Sequence, residues 1–180
     1  MGRGVTCMYE YIRKSTEYPI YKHKRISAYP IDETVNQIGN QNFWLWLCIE
    51  PVHRSVLVIH ISEERNMFVV EDFIRSLVEK YCRHTVYTDG GTWYPPQAYQ
   101  FLHLKHRVHS HLEKILIERI MQYFKDRTES FDDYYPCINN KKRNCNLQHV
   151  YNWIKLFVYL YNAKIRNTIL FKIGGEIVLN

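Results

Sequence analysis

Two runs rich in β-branched and aromatic residues, 43–49 and 55–61, are split by Glu50-Pro51, and this pairing constrains the chain more than any other feature. An alternating run, 26–34, precedes them across an Ile-Gly-Asn-Gln-Asn turn, so the pattern predicts an antiparallel three-strand meander. Ser62 is placed to cap a helix whose apolar positions Phe68, Val69, Phe73, Ile74, Leu77 and Val78 recur at helical spacing. Residues 85–89 then read as a short strand stopped by Gly90-Gly91. Pro95-Pro96 opens a brief helix to about residue 102, and 105–108 makes another short strand. A long helix over 112–128 carries an apolar line, Leu112, Leu116, Ile120 and Phe124, and a last helix over 149–164 carries Trp153, Phe157 and Leu160. Three antiparallel strands feeding a helix and then a further strand describe a mixed sheet covered by helices, an α/β layer arrangement.

A chain of 180 residues has room for one ordinary domain. Its apolar stretches fall short of the roughly 20 residues that cross a bilayer, so no membrane partner is expected. Lys and Arg outnumber Asp and Glu by 24 to 18, and nine His add to a surface suited to polyanions, nucleic acid first. Five Cys without a signal-peptide core point to reduced thiols in the cytoplasm. Residues 1–6 match the short myristoylation pattern, which has meaning only in a eukaryotic host. Residues 1–25 read as a polar, basic N-terminal arm.

Three acids stand where the backbone can gather them. Asp32 lies on the first strand, where Asp is unusual. Asp89 closes the fourth strand, and side chains at the carboxyl end of a strand face a crevice outside the sheet. A right-handed crossover through the intervening helix permits strands one and four to lie parallel and adjacent, which projects both acids into one pocket. Glu118 sits on the long helix, about 180° from the midpoint of Leu116 and Ile120. Clustered carboxylates raise one another's pKa unless a cation sits between them, and magnesium or manganese takes hard oxygen ligands of this kind. Two of the acids also have a plain structural explanation: Asp89 before Gly-Gly is a common turn, and Glu118 with Gln122 and Lys125 makes an ordinary solvated helix face.

The segments Ile31-Asp32-Glu33-Thr34, Phe43-Trp44-Leu45-Trp46, Tyr87-Thr88-Asp89-Gly90-Gly91-Thr92-Trp93-Tyr94 and the run 118–128 together resemble the DDE transposases of prokaryotic insertion sequences, notably short archaeal elements with an integrase-type catalytic domain. The likeness spans roughly residues 26–162. It implies an RNase H-like fold of the retroviral-integrase type, a mixed five-stranded sheet flanked by helices. It implies a catalytic domain over 26–164 and leaves 165–180 as a divergent tail. Asp32, Asp89 and Glu118 then hold two Mg2+ or Mn2+ ions for DNA cleavage and strand transfer at insertion-sequence ends. The family's basic residue seven positions after the Glu is Lys125, about 20° from Glu118 around the helix and so able to touch DNA phosphate. Arg119 and Arg127 are further phosphate candidates, and Glu113 is a rival third acid without the Lys seven residues on.

Two features depart from the pattern. The second and third acids are 29 positions apart, a compact spacing, and only 31 residues precede Asp32, where relatives carry a DNA-binding segment. A truncated, catalytically silent remnant that binds DNA or a full-length subunit is therefore the alternative to a working transposase. The resemblance further implies a homodimer or larger assembly on DNA, since two element ends must meet, in a prokaryotic cytoplasm at the nucleoid.

Secondary candidates remain. Trp93 either stacks on an unpaired base or packs over the sheet edge. His103, His106, His109 and His111 suit phosphate contact near the acids better than zinc, which needs a closed tetrahedron. Cys137, Cys145 and His149 supply three possible zinc ligands with no evident fourth.

Overall fold

The computed structural model describes residues 26–38, 41–94, 96–127, 134–135 and 147–176. The elements in chain order are β1 Ala28–Ile38, β2 Gln41–Glu50, β3 Ser55–Ser62, α1 Met67–Tyr81, β4 Thr85–Thr88, α2 Pro96–Phe101, β5 His106–Val108, α3 His111–Arg127, β6 Tyr134–Tyr135 and α4 Leu147–Glu176. The strands lie in the order β3-β2-β1-β4-β5, with β1–β2 and β2–β3 antiparallel and β1–β4 and β4–β5 parallel. This is the expected RNase H-like mixed five-stranded sheet. The two-residue β6, between α3 and α4 in sequence, adds beside the far end of β1.

Side-chain alternation builds two cores. From β2, Trp46 and Cys48 join Tyr29, Ile31, Phe73, Ile74 and Leu77 on the α1 face. Phe43, Leu45, Leu47 and Ile49 point the other way, onto Ile117, Ile120 and Met121 of α3 and Val150, Ile154 and Val158 of α4. Strand β2 is buried on both faces and so reads as a continuous apolar run. Pairing of Cys48 with Val58 and of Ile49 with Val56 leaves Leu57 as an extra residue, a bulge that lets adjacent Leu57 and Val58 share one core.

The sequence expectations need four corrections here. Asn66, not Ser62, caps α1, its Oδ1 accepting from the N–H groups of Phe68 and Val69 at 3.1 Å each. Ser62 closes β3 instead, accepting from the Trp46 indole at 2.8 Å and donating to the Glu64 carbonyl at 2.7 Å. Phe68 is 71% exposed, because it lies in the first turn, before α1 reaches the sheet. On α3, Leu112 is 78% exposed and the buried positions are Ile117, Ile120 and Met121. A strict i+4 line drifts about 40° per step around a helix, so no single sheet contact can bury all of it. Finally, α4 extends to Glu176, past the boundary expected at residue 164.

Candidate functional site

The pairing of β1 opens the cleft. Its first residues, Ala28, Tyr29 and Pro30, pair in parallel with Thr85, Val86 and Tyr87, and that ladder then stops. Asp32 comes two residues later, still paired to β2 through Leu47 but with no β4 residue beside it. Continuing the register by two places brings Asp89, just beyond β4, level with Asp32. A turn holds Asp89: its Oδ1 accepts the Gly91 N–H at 2.8 Å, and the Thr88 hydroxyl accepts the Gly90 N–H at 3.1 Å. Gly90 has φ +83°, a conformation that favours glycine.

Asp32 points away from Tyr29 and Ile31, toward α3. A cleft of about 580 Å3 is lined by Asp32, Glu33, Ile115, Glu118, Arg119 and Lys125 among others. With Ile117, Ile120 and Met121 buried, Glu118 flanks the buried face of α3 at roughly 100° rather than standing opposite it. That position brings it beside β1. Glu118 is exposed and lies 3.9 Å from Lys114. Asp89 is exposed as well.

Asp32 is electrostatically out of balance. Burial pushes its pKa up to about 7; the Glu33 N–H, donating to Oδ1 at 2.9 Å, opposes the rise, and the charges of Glu33, Asp89 and Glu118 add to it. Three negative neighbours and a single local hydrogen bond surround this partly buried carboxyl. Among the described residues, no three His, Cys, Asp or Glu side chains are close enough together to hold a metal ion as they stand.

Glu33, one residue on, faces the other core. Its carboxylate accepts from the Tyr94 hydroxyl at 2.5 Å and lies 3.6 Å from Arg65, whose guanidinium is sandwiched between the rings of Trp44 at 4.0 Å and Trp93 at 3.8 Å. Burial raises the pKa of Glu33 against these partners. One face of Trp93 is thus covered by Arg65, and the ring also packs so tightly on Gly91 that a methyl group there would collide with it. The assembly ties the loop after Asp89 to β1. Its parts come from four separate segments, and no local spacing announces it.

The remaining candidates separate cleanly. Glu113 is engaged as a helix cap: Ser110 N–H donates to its carboxylate at 2.6 Å, and the Ser110 hydroxyl accepts the Glu113 N–H at 3.5 Å. The four histidines do not converge. His106 stacks on Tyr99 and bonds the Thr88 hydroxyl, His109 reaches the Ile31 carbonyl, and His103 and His111 are exposed. The side chains of Arg127 and His149, together with residues 1–25, Cys137 and Cys145, lie outside the described residues.

A family model described as DDE domain matches residues 26–162. An uncharacterized protein of Methanocaldococcus jannaschii is 29% identical over 161 residues, 88% of this chain and 71% of that protein. Among solved structures, the catalytic core domain of BIV integrase is similar with 17% identity and a TM-score of 0.49, over 59% of this chain and 72% of that one. The HTLV-2 integrase catalytic core domain in complex with magnesium is similar with 15% identity and a TM-score of 0.48, over 58% and 70% of the two chains.

Proposed function

The chain belongs to the DDE domain family of transposases, and from that membership we propose that it cuts DNA at insertion-sequence ends and joins the freed ends to target DNA, with two Mg2+ or Mn2+ ions as cofactors. The observation that carries the reading is Asp32: a partly buried carboxyl with a pKa near 7, surrounded by the negative charges of Glu33, Asp89 and Glu118. Divalent cations remove that repulsion, and an all-oxygen donor set suits magnesium and manganese. Asp32, Asp89 and Glu118 are the residues that would hold them. When bound, the ions activate the attacking oxygen and neutralise the leaving oxygen of an in-line phosphoryl displacement.

The chain's own residues supply the rest. Asp32 is held by the β1–β2 ladder and Asp89 by its turn, so two of the three acids stand on hydrogen-bonded backbone. Glu118 stands on a helix surface, where a rotamer change can swing its carboxylate toward the other two. Lys125 and Arg119 line the same cleft, and their cations attract the phosphodiester backbone beside the acids. Arg127, two residues after Lys125 in sequence, and Trp93 are further DNA contacts in this reading. A homodimer or larger assembly would bring two element ends together, acting at the nucleoid of a prokaryotic cytoplasm.

The test is a strand-transfer assay with terminal-repeat duplexes and Mg2+ or Mn2+. Asp89→Asn is expected to lower the rate by at least about 10³-fold while leaving the fold intact. Retained activity in that variant rejects the reading. A folded wild-type protein that binds end DNA with a strong salt dependence but cuts none with either metal is a silent remnant instead.

A further inference from the structure

Where the β1–β4 ladder ends, a side chain takes its place. The last parallel pair is Pro30 with Tyr87, so the strands carry Asp32 and Asp89 past the point at which hydrogen bonds of the sheet join them. His109, the residue after β5, spans that gap. Its main-chain N–H donates to the Thr88 carbonyl at 2.8 Å, and its ring Nε2 lies 3.0 Å from the Ile31 carbonyl. A carbonyl can only accept, so Nε2 carries the proton. The Ile31 carbonyl belongs to the peptide unit that leads into Asp32, and the Thr88 carbonyl belongs to the one that leads into Asp89. One residue therefore grips both peptide units that present the first two acids.

We propose that His109 is a positioning residue that sets the separation of Asp32 and Asp89 through its hydrogen bonds to the Ile31 and Thr88 carbonyls. The inference rests on the reading of those acids as ligands for divalent cations. The main-chain half of the grip is available to any residue, since β5 already brings this backbone beside β4. The ring half depends on the side chain: an N–H donor at imidazole reach across 78 positions of sequence. Burial lowers the pKa of the ring, and Nδ1 is buried without a hydrogen-bond partner, both of which fit a neutral imidazole that donates through Nε2 alone. Outer groups that orient metal ligands typically change metal affinity by about 10- to 100-fold when removed.

Gln at this position keeps an N–H donor at about the same reach, whereas Leu fills similar space and donates nothing. Mn2+ binding to the intact chain is measured by electron paramagnetic resonance, with thermal denaturation as the check on folding. His109→Leu is expected to weaken Mn2+ binding by about 10-fold or more, and His109→Gln to stay within about threefold of wild type. Should the Leu variant fail to fold, His109→Asn against His109→Gln makes the same comparison, because Asn is too short to reach Ile31. Equal Mn2+ affinity in donor-bearing and donor-lacking variants overturns the clamp while leaving the metal site standing. Absence of Mn2+ binding in the wild type, or unchanged binding in Asp89→Asn, removes the metal site itself, and the clamp falls with it.

Discussion

Glu50 and Asp32 are acids on neighbouring strands, and their surroundings could hardly differ more. Glu50 has no exposed surface, yet it accepts hydrogen bonds from the His53 N–H at 2.6 Å, the His53 ring at 2.9 Å and the Ser27 hydroxyl at 3.1 Å. Burial alone would raise its pKa, but these bonds together with one from the Val52 N–H hold it below the usual carboxylate value. Asp32 accepts from its neighbour's N–H and otherwise faces other carboxylates, and its pKa rises to about 7. A carboxylate that serves the fold is saturated with donors. One that is left short of donors next to like charges is poised for a cation from outside.

The largest expected effect separates the two acids by function. Asp32→Asn should abolish strand transfer, by about 10³-fold or more, while Glu50→Gln should leave the rate of the folded protein within about threefold. A Glu50 variant as inactive as the Asp32 variant would break the contrast.

Stability should rank them in reverse. Glu50→Ala strands several buried donors and is expected to cost about 2–3 kcal/mol in denaturant unfolding. Asp32→Asn, measured in EDTA at pH 8, should instead raise Tm by a few degrees, because it removes an anion that burial and repulsion disfavour. Adding Mn2+ should raise the Tm of wild type and not of Asp32→Asn.

The pH dependence gives a smaller but sharper distinction. The folded pKa of Asp32 lies above its unfolded value of about 3.9, so metal-free protein holds the proton longer and loses stability as pH rises from about 4 through 7. For Glu50 the sign is opposite: its contribution is present above the unfolded value of about 4.3 and fades as pH falls through the lowered folded value. Thermal scans of the two variants against pH should flatten the curve on opposite sides. The smallest effect belongs to Tyr94→Phe, which deletes the hydroxyl on Glu33 and should cost about 1–2 kcal/mol.

How much of this was legible in the sequence follows from the kind of information each feature carries. Strands β1 to β3 and helix α1 announce themselves because alternation and helical spacing are local and periodic. Asp32 and Asp89 stand out because an Asp inside a strand and an Asp before Gly-Gly are local oddities, and the crossover rule then makes their strands neighbours. The buried face of α3 was misread because Leu112 looks as apolar as Ile117, and the contact with the sheet decides between them. Asn66 displaces Ser62 as the cap because Ser62 is the last residue of β3, and the four residues 63–66 then carry the chain to the first turn of α1. His109 stands out in the sequence only as one of a dense set of histidines suited to phosphate, and its bond to the Ile31 carbonyl, like the partners of Glu50 and the Arg65 sandwich, left no trace: each depends on side chains that meet from distant segments, and contacts over such separations have no period.

The most direct test of a shared cation site is a crystal of the protein soaked with Mn2+ and measured at a wavelength where manganese scatters anomalously. Anomalous density bridging the carboxylates of Asp32 and Asp89, with Glu118 turned toward it, is the predicted result. Manganese bound elsewhere on the chain, with the Asp32 carboxyl untouched at saturating Mn2+, would contradict it.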